Sequence, residues 1–231
     1  DMTNLEYFDN DKVVVTDEYY QNALELDVQN LLKLDADRLL AGFRETAGYA
    51  AGMSDKDIES YMKNKKRYEG GWENSLIGGH TLGHYMSAVA QGIVNPGVTA
   101  EEKEKLTERL NYIIDALNDC QKKTEGVNGL EGYIFGATLP NSSFKKNVAL
   151  QFDNVEKGRA NIATEAWVPW YTMHKILAGL VDSYQIAGNK TAIEVANKLG
   201  TWIADRANNW SSSTQSTVLG IEYGGMNDAL Y

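Results

Sequence analysis

The sequence predicts an all-α protein whose helix hairpins stand side by side in a toroid. Three observations carry that class. Apolar residues recur at steps of three and four through the long segments. Only 3 prolines occur in 231 residues, so few helix interiors are interrupted. Helices with a glycine- or aromatic-rich entrance (near 79, 171 and 225) alternate with charged amphipathic ones (near 20, 105 and 195). Inner and outer helices alternating in this way bring the inner N-termini, with their free N–H groups, to one mouth. The spacing is too uneven for a short-period solenoid.

In chain order, residues 1–12 are a polar lead-in with scattered aromatics. Val13 to Val15 is a β-branched run, suited to a small strand or an extended docking segment. Asp17 is a helix N-cap, and Tyr20, Leu24, Val28, Leu31 and Leu32 follow at helical spacing. Asp35 to Phe43 reads as a short helix or turn. Ala47 to Lys66 reads as a surface loop with a weak helix over Asp55 to Lys63. Tyr68 to Trp72 (YEGGW) is a loop that projects Trp72. An inner-type helix starts at Gly79, with Leu82, Tyr85, Met86, Val89 and Ile93 on one face and His80 and His84 opposite. Thr99 and Glu102 form a capping-box pattern for an outer helix carrying Leu106, Leu110, Ile113, Ile114 and Leu117.

Gly126 to Arg159 is rich in Gly and Asn and reads as a long irregular segment, which at that length is expected to be functional. Trp167 to Tyr184 (WVPWYTMHKILAGLVDSY) is the stretch around which the rest is organised. Met173, Ile176, Leu177, Leu180, Val181 and Tyr184 share a face, under a lip of Trp167, Pro169, Trp170 and Tyr171. Proline suits a helix start, because its missing N–H has no partner there. A further outer helix runs from about Thr191 to Ala207. Asn208 to Thr217 is a polar loop, and another buried-type helix opens at Met226. A closed toroid takes more helices than these, so the expectation is an N-terminal half, with a lead-in of 1–12 and a truncated catalytic portion over 13–231.

Composition narrows the partners. A formal net charge of −10 with 22 basic residues excludes a nucleic-acid footprint and argues against anionic membranes and polyanionic substrates. No apolar run is long enough to span a bilayer. The single cysteine, Cys120, excludes an internal disulfide and a Cys-based metal cluster within these residues, and it reads as a buried inert thiol.

His80 and His84 have the i, i+4 spacing of a zinc pair, but Thr81 stands where a zincin needs its general-base Glu. That leaves histidines holding loop carbonyls, or histidines contacting a polar substrate. Glu165 and Glu222 both sit at helix entrances. Either they complement an N-terminal dipole, or they form a carboxylate pair for glycoside hydrolysis.

GGWEN (70–74), GGHTLGHYMSAVA (78–90), WVPWYTMHKILAGLVDSY (167–184) and EYGGMNDALY (222–231), in this order, resemble the β-L-arabinofuranosidase superfamily of glycoside hydrolase families 127 and 146. The resemblance covers roughly residues 13–231. It implies an (α/α)6-barrel catalytic domain followed by β-sandwich domains. It also implies hydrolysis of terminal β-L-arabinofuranosyl residues of plant glycans with retention of configuration. In the family a zinc-bound cysteine is the nucleophile, a glutamate is acid/base, and further Cys and Glu residues hold the zinc. Those positions have no match here, and Cys120 does not fit the cysteine motif, so no catalytic or zinc-ligand residue is assigned. By matching position, Trp72, His80, Trp170, Tyr171, Glu222 and Tyr223 line the sugar pocket. The implied partners are a plant arabinose-containing glycan and the remaining C-terminal part of the same enzyme. The implied location is extracellular or periplasmic. The rival readings are a helical-toroid glycuronyl hydrolase or lyase, and a non-catalytic carbohydrate-binding module. An acidic chain does not advertise the basic cleft that acidic sugars want.

Overall fold

The structure, a computed structural model, describes residues 9–222. Every regular element among them is helical, so the all-α class expected from the sequence is the one found. Val13 to Val15 are exposed and form no strand. Helix α1 (Glu18–Lys33) starts at Asp17, whose side chain accepts from the Tyr19 and Tyr20 amides. Within α1 only Val28 is fully buried, and Tyr20, expected on its apolar face, is exposed.

The next segment departs most from expectation. Residues read as a short helix or turn, then loop, form one 15-residue helix, α2 (Ala36–Ala50), while α3 (Asp55–Tyr61) falls where a weak helix was expected. Helix α2 is buried along most of its length, including Arg44. Its small residues serve close packing. A Cβ on Gly42 would collide with the Arg67 guanidinium and the Gly136 carbonyl, and one on Gly48 would lie 2.6 Å from Ile58. Arg67 itself donates to the Gly136 and Ala137 carbonyls and pairs with Glu45.

Two antiparallel hairpins form the body. Helix α4 (His80–Val94) turns at Asn95–Thr99 into α5 (Ala100–Lys122), and Thr99 caps α5 by accepting from the Glu102 amide at 3.2 Å. Helix α8 (Pro169–Gln185) turns at Gly188 into α9 (Lys190–Asn208). Helix α4 packs along α8, and α5 along α9, giving two layers. The inner pair runs parallel: His80 meets Tyr171, Gly83 meets Lys175, and Met86 meets Gly179. The inner N-termini therefore lie at one end, as the alternation of helix types predicts. The contact is backbone on backbone. A Cβ on Gly83 would overlap the Lys175 carbonyl, and one on Gly179 would sit 2.5 Å from the Gly83 carbonyl.

The segment 126–159 is not structureless. It contains α6 (Ser142–Lys146) and α7 (Leu150–Glu156), and its aromatics build the core. Tyr133, Phe135 and Phe152 are almost fully buried and stack with Trp170 and Trp202 at centroid distances of 4.8–6.1 Å. Phe152→Ala is expected to cost about 3–5 kcal/mol, because the surrounding rings cannot collapse into the void. In a thermal melt the transition should fall by on the order of 10 °C. The polar run after Asn208 is likewise only partly loop: Ser211 caps α10 (Ser212–Ile221) through the Thr214 amide.

Candidate functional site

The two inner helices begin in unusual ways, and each beginning fixes a side chain. Gly79, the N-cap of α4, has φ +97, and a Cβ there would also press on the Gly136 backbone at 3.0 Å. Only glycine fits both demands. It turns the chain so that His80 enters the first turn of α4 with its ring turned back on the entrance loop. The His80 ring nitrogen Nδ1 lies 2.9 Å from the Ile77 carbonyl. At α8 the N-cap is Val168, in the left-handed region at φ +38 and without an accepting side chain. Pro169 needs no partner for its nitrogen. The next two amides are capped from a distance: Trp170 N donates to Glu222 Oε2 at 3.1 Å, and Tyr171 N to Oε1 at 3.0 Å. Burial pushes the Glu222 carboxyl up to about 7, against the pull of the Tyr171 and Trp170 amides.

These entrances meet. The Trp72 ring lies 5.8 Å from His80 and 6.2 Å from Trp167, and His80 lies 6.3 Å from Tyr171 and 6.2 Å from His84. Trp72 and Tyr171 are 59% and 40% exposed, so aromatic faces remain open to a ligand, while His80 is buried between them. Lys175 stands 5.3 Å from the Tyr171 ring. Partial desolvation, with the charges of Lys175 and His80, lowers the His84 pKa. A neutral imidazole there can both donate and accept towards hydroxyl groups. Aromatic faces beside such polar groups suit a small, neutral, hydroxylated ring.

Residues 12–231 match the family described as β-L-arabinofuranosidase, GH127 catalytic domain. The chain belongs to that family. Among curated proteins none matches it. The GH127 catalytic domain is an α/α barrel, and the parallel inner pair flanked by antiparallel outer helices is a segment of that architecture.

Within this GH127 domain the six sequence-derived pocket residues separate. Trp72, His80 and Tyr171 come together. Trp170 contributes its amide to the entrance, but its ring is buried against Phe152, Trp202 and Trp210, and its Nε1 finds no acceptor among the described residues. Glu222 commits both carboxylate oxygens to the α8 amides, in keeping with the dipole reading of an entrance carboxylate. Tyr223 lies outside the described residues, as does the helix expected from Met226. Glu165 closes its own turn, accepting from the Asn161 amide at 3.0 Å. Trp167, His84 and Lys175 join the cluster, although the motif match does not place them in the pocket. All three stand inside the quoted motifs, where adjacency for Trp167 and the i+4 spacing for His84 and Lys175 were the available signals.

Zinc does not fit the described residues. They contain no group of three or more His, Cys, Asp or Glu side chains able to hold a metal ion. Cys120 is buried with its Sγ 3.4 Å from the Tyr61 hydroxyl, and burial raises its thiol to about 11. Without a metal beside it, that thiol stays protonated at neutral pH. A separate concavity of roughly 730 Å³ lies between the 126–131 loop and the end of α9, lined by Trp202, Glu156, Arg206 and Trp210. Those polar groups are bonded to one another and to the fold. Glu156 accepts from Arg206 and from Trp210 Nε1, and Trp202 Nε1 donates to the Gly129 carbonyl.

Proposed function

We propose that this GH127 domain holds a terminal L-arabinofuranose unit of a plant glycan in the Trp72–His80–Tyr171 entrance, for release by hydrolysis. The observation that carries the reading is the meeting of these three side chains, from separate elements, at the N-terminal end of the two inner helices. The sugar's C–H face lies on Trp72 or Tyr171, and its hydroxyls bond to His84 and His80. Trp170 and Glu222 stand behind that surface and hold Tyr171 in place. Tyr223, next in sequence to Glu222, is proposed to complete the lining. No described residue is assigned as nucleophile or acid/base, so the contribution proposed for residues 9–222 is recognition. A glycan of this kind is met outside the cytoplasm, which favours an extracellular or periplasmic setting. No helix among the described residues is long and apolar enough to cross a membrane.

Calorimetric titration with an alkyl L-arabinofuranoside tests this. Trp72→Ala removes an exposed ring and is expected to weaken binding about tenfold, a typical worth for one aromatic contact. Tyr184→Ala, an exposed ring near the C-terminal end of α8, should leave the affinity unchanged. Equal affinity in wild type and Trp72→Ala would refute the assignment. Turnover assays on the same samples separate a hydrolase from a non-catalytic binder.

A further inference from the structure

The aromatic entrance is made of two loops that share no regular element. Residues 62–79 carry Trp72, and residues 157–168 carry Trp167. One buried side chain joins them. Gln151, on α7 and only 4% exposed, donates from Nε2 to the Leu76 carbonyl at 2.8 Å and accepts at Oε1 from the Trp167 amide at 3.0 Å. The amide's orientation follows from its partners, because a carbonyl can only accept and an N–H can only donate.

Each bond lands next to the site. Leu76 precedes Ile77, whose carbonyl faces the His80 ring, and Trp167 carries the ring against Trp72. The post that bears Gln151 is rigid. The neighbouring Phe152 is fully buried in the aromatic core, and Asn154 donates from the same helix to the Glu165 carbonyl at 2.8 Å. A glutamine is the one side chain of this length that offers a donor and an acceptor together while staying uncharged in a buried place.

We propose that Gln151 is a positioning residue that sets the separation of Trp72 and Trp167, and through it the width and affinity of the saccharide entrance. The proposal rests on the reading of that entrance as the sugar site.

Gln151→Leu and Gln151→Glu in the full chain test it, with calorimetry of an L-arabinofuranoside on folded protein. Gln151→Leu leaves both loops without a partner and is expected to weaken binding about tenfold at every pH. In Gln151→Glu an ionised carboxylate keeps the Trp167 bond but opposes the Leu76 carbonyl. A neutral carboxyl can donate to that carbonyl and restores both bonds. Gln151→Glu should therefore bind about tenfold more weakly at alkaline pH and return towards wild type on acidification. Affinities are taken as ratios to wild type at the same pH. The loop groups common to both proteins (Glu73, His80 and Glu165) then cancel. A general loss of stability would not produce this acid recovery.

Wild-type affinity in both variants, or a loss in Gln151→Glu that acid does not reverse, overturns the proposal. If wild type binds no arabinofuranoside, the sugar reading fails separately. The positioning claim is then decided by hydrogen exchange of the Trp167 amide: faster exchange in Gln151→Leu supports it, and unchanged exchange overturns it.

Discussion

Gly83→Ala is expected to lower stability by about 3 kcal/mol or more, the upper part of the range for overpacking, because backbone meets backbone and neither can rotate away. For a chain of this size the thermal transition should fall by on the order of 10 °C. The added Cβ overlaps the Lys175 carbonyl, and Gly179 makes the reciprocal contact 2.5 Å from the Gly83 carbonyl. Relief requires α4 and α8 to part, which also separates His80 from Tyr171. Saccharide affinity should therefore fall together with stability. Gly200→Ala is the control. Gly200 lies inside α9 with nothing within 4 Å of its would-be Cβ. Alanine there should be neutral or stabilising by up to about 1 kcal/mol. A Gly83→Ala protein that melts with wild type would mean the inner helices are not in contact at this point.

Glu222 gives the second large effect. Its carboxyl is pushed up to about 7 from an ordinary 4.5. A raised acid favours the neutral form in the folded protein. The stability it contributes is fully present below about 4.5 and is lost as pH rises through about 7. The loss amounts to about 3 kcal/mol. His84 is shifted the other way, so it adds a slope of opposite sign in the acid part of the window. The difference between wild type and Glu222→Gln isolates Glu222. In thermal melts across that range, wild type should lose stability relative to Glu222→Gln as pH rises. Glu222→Ala removes the acceptor of two first-turn amides and should cost about 2–4 kcal/mol at acid pH, a cost that shrinks as pH rises through about 7. A flat difference between wild type and Glu222→Gln would show that the carboxylate is solvated and not buried at the α8 entrance.

Much of the architecture is legible in the sequence because periodicity reports which face a helix buries. Helices α4, α5, α8 and α9 fall where apolar spacing and caps put them, and Gly83 announces a close backbone approach. Helix α2 is hidden because its small residues look like loop. Gly42 and Gly48 owe their places to contacts with Arg67, Gly136 and Ile58, which lie farther along the chain. Helices α6 and α7 are hidden in a Gly- and Asn-rich stretch whose aromatics serve the core and not an open site. The Ser/Thr-rich α10 reads as loop because short hydroxyl side chains compete with helical backbone bonds; here Ser211 caps that backbone. In the site, the family resemblance of the motifs is what points to Trp72, His80 and Tyr171. It does not show that the Trp170 ring turns inward or that the Glu222 carboxylate is committed to amides. Gln151 carries no sequence signal at all, since its role depends on two loops meeting across α7.

Trp72, His80 and Tyr171 are proposed to form one saccharide surface at the paired N-termini of α4 and α8. A hydrogen-exchange footprint with and without an L-arabinofuranoside tests it most directly. Protection is expected at residues 72–80 and at 167–172, with the 126–131 loop and residues 202–210 unchanged. Protection confined to those last two segments, with none at the entrance, would contradict it.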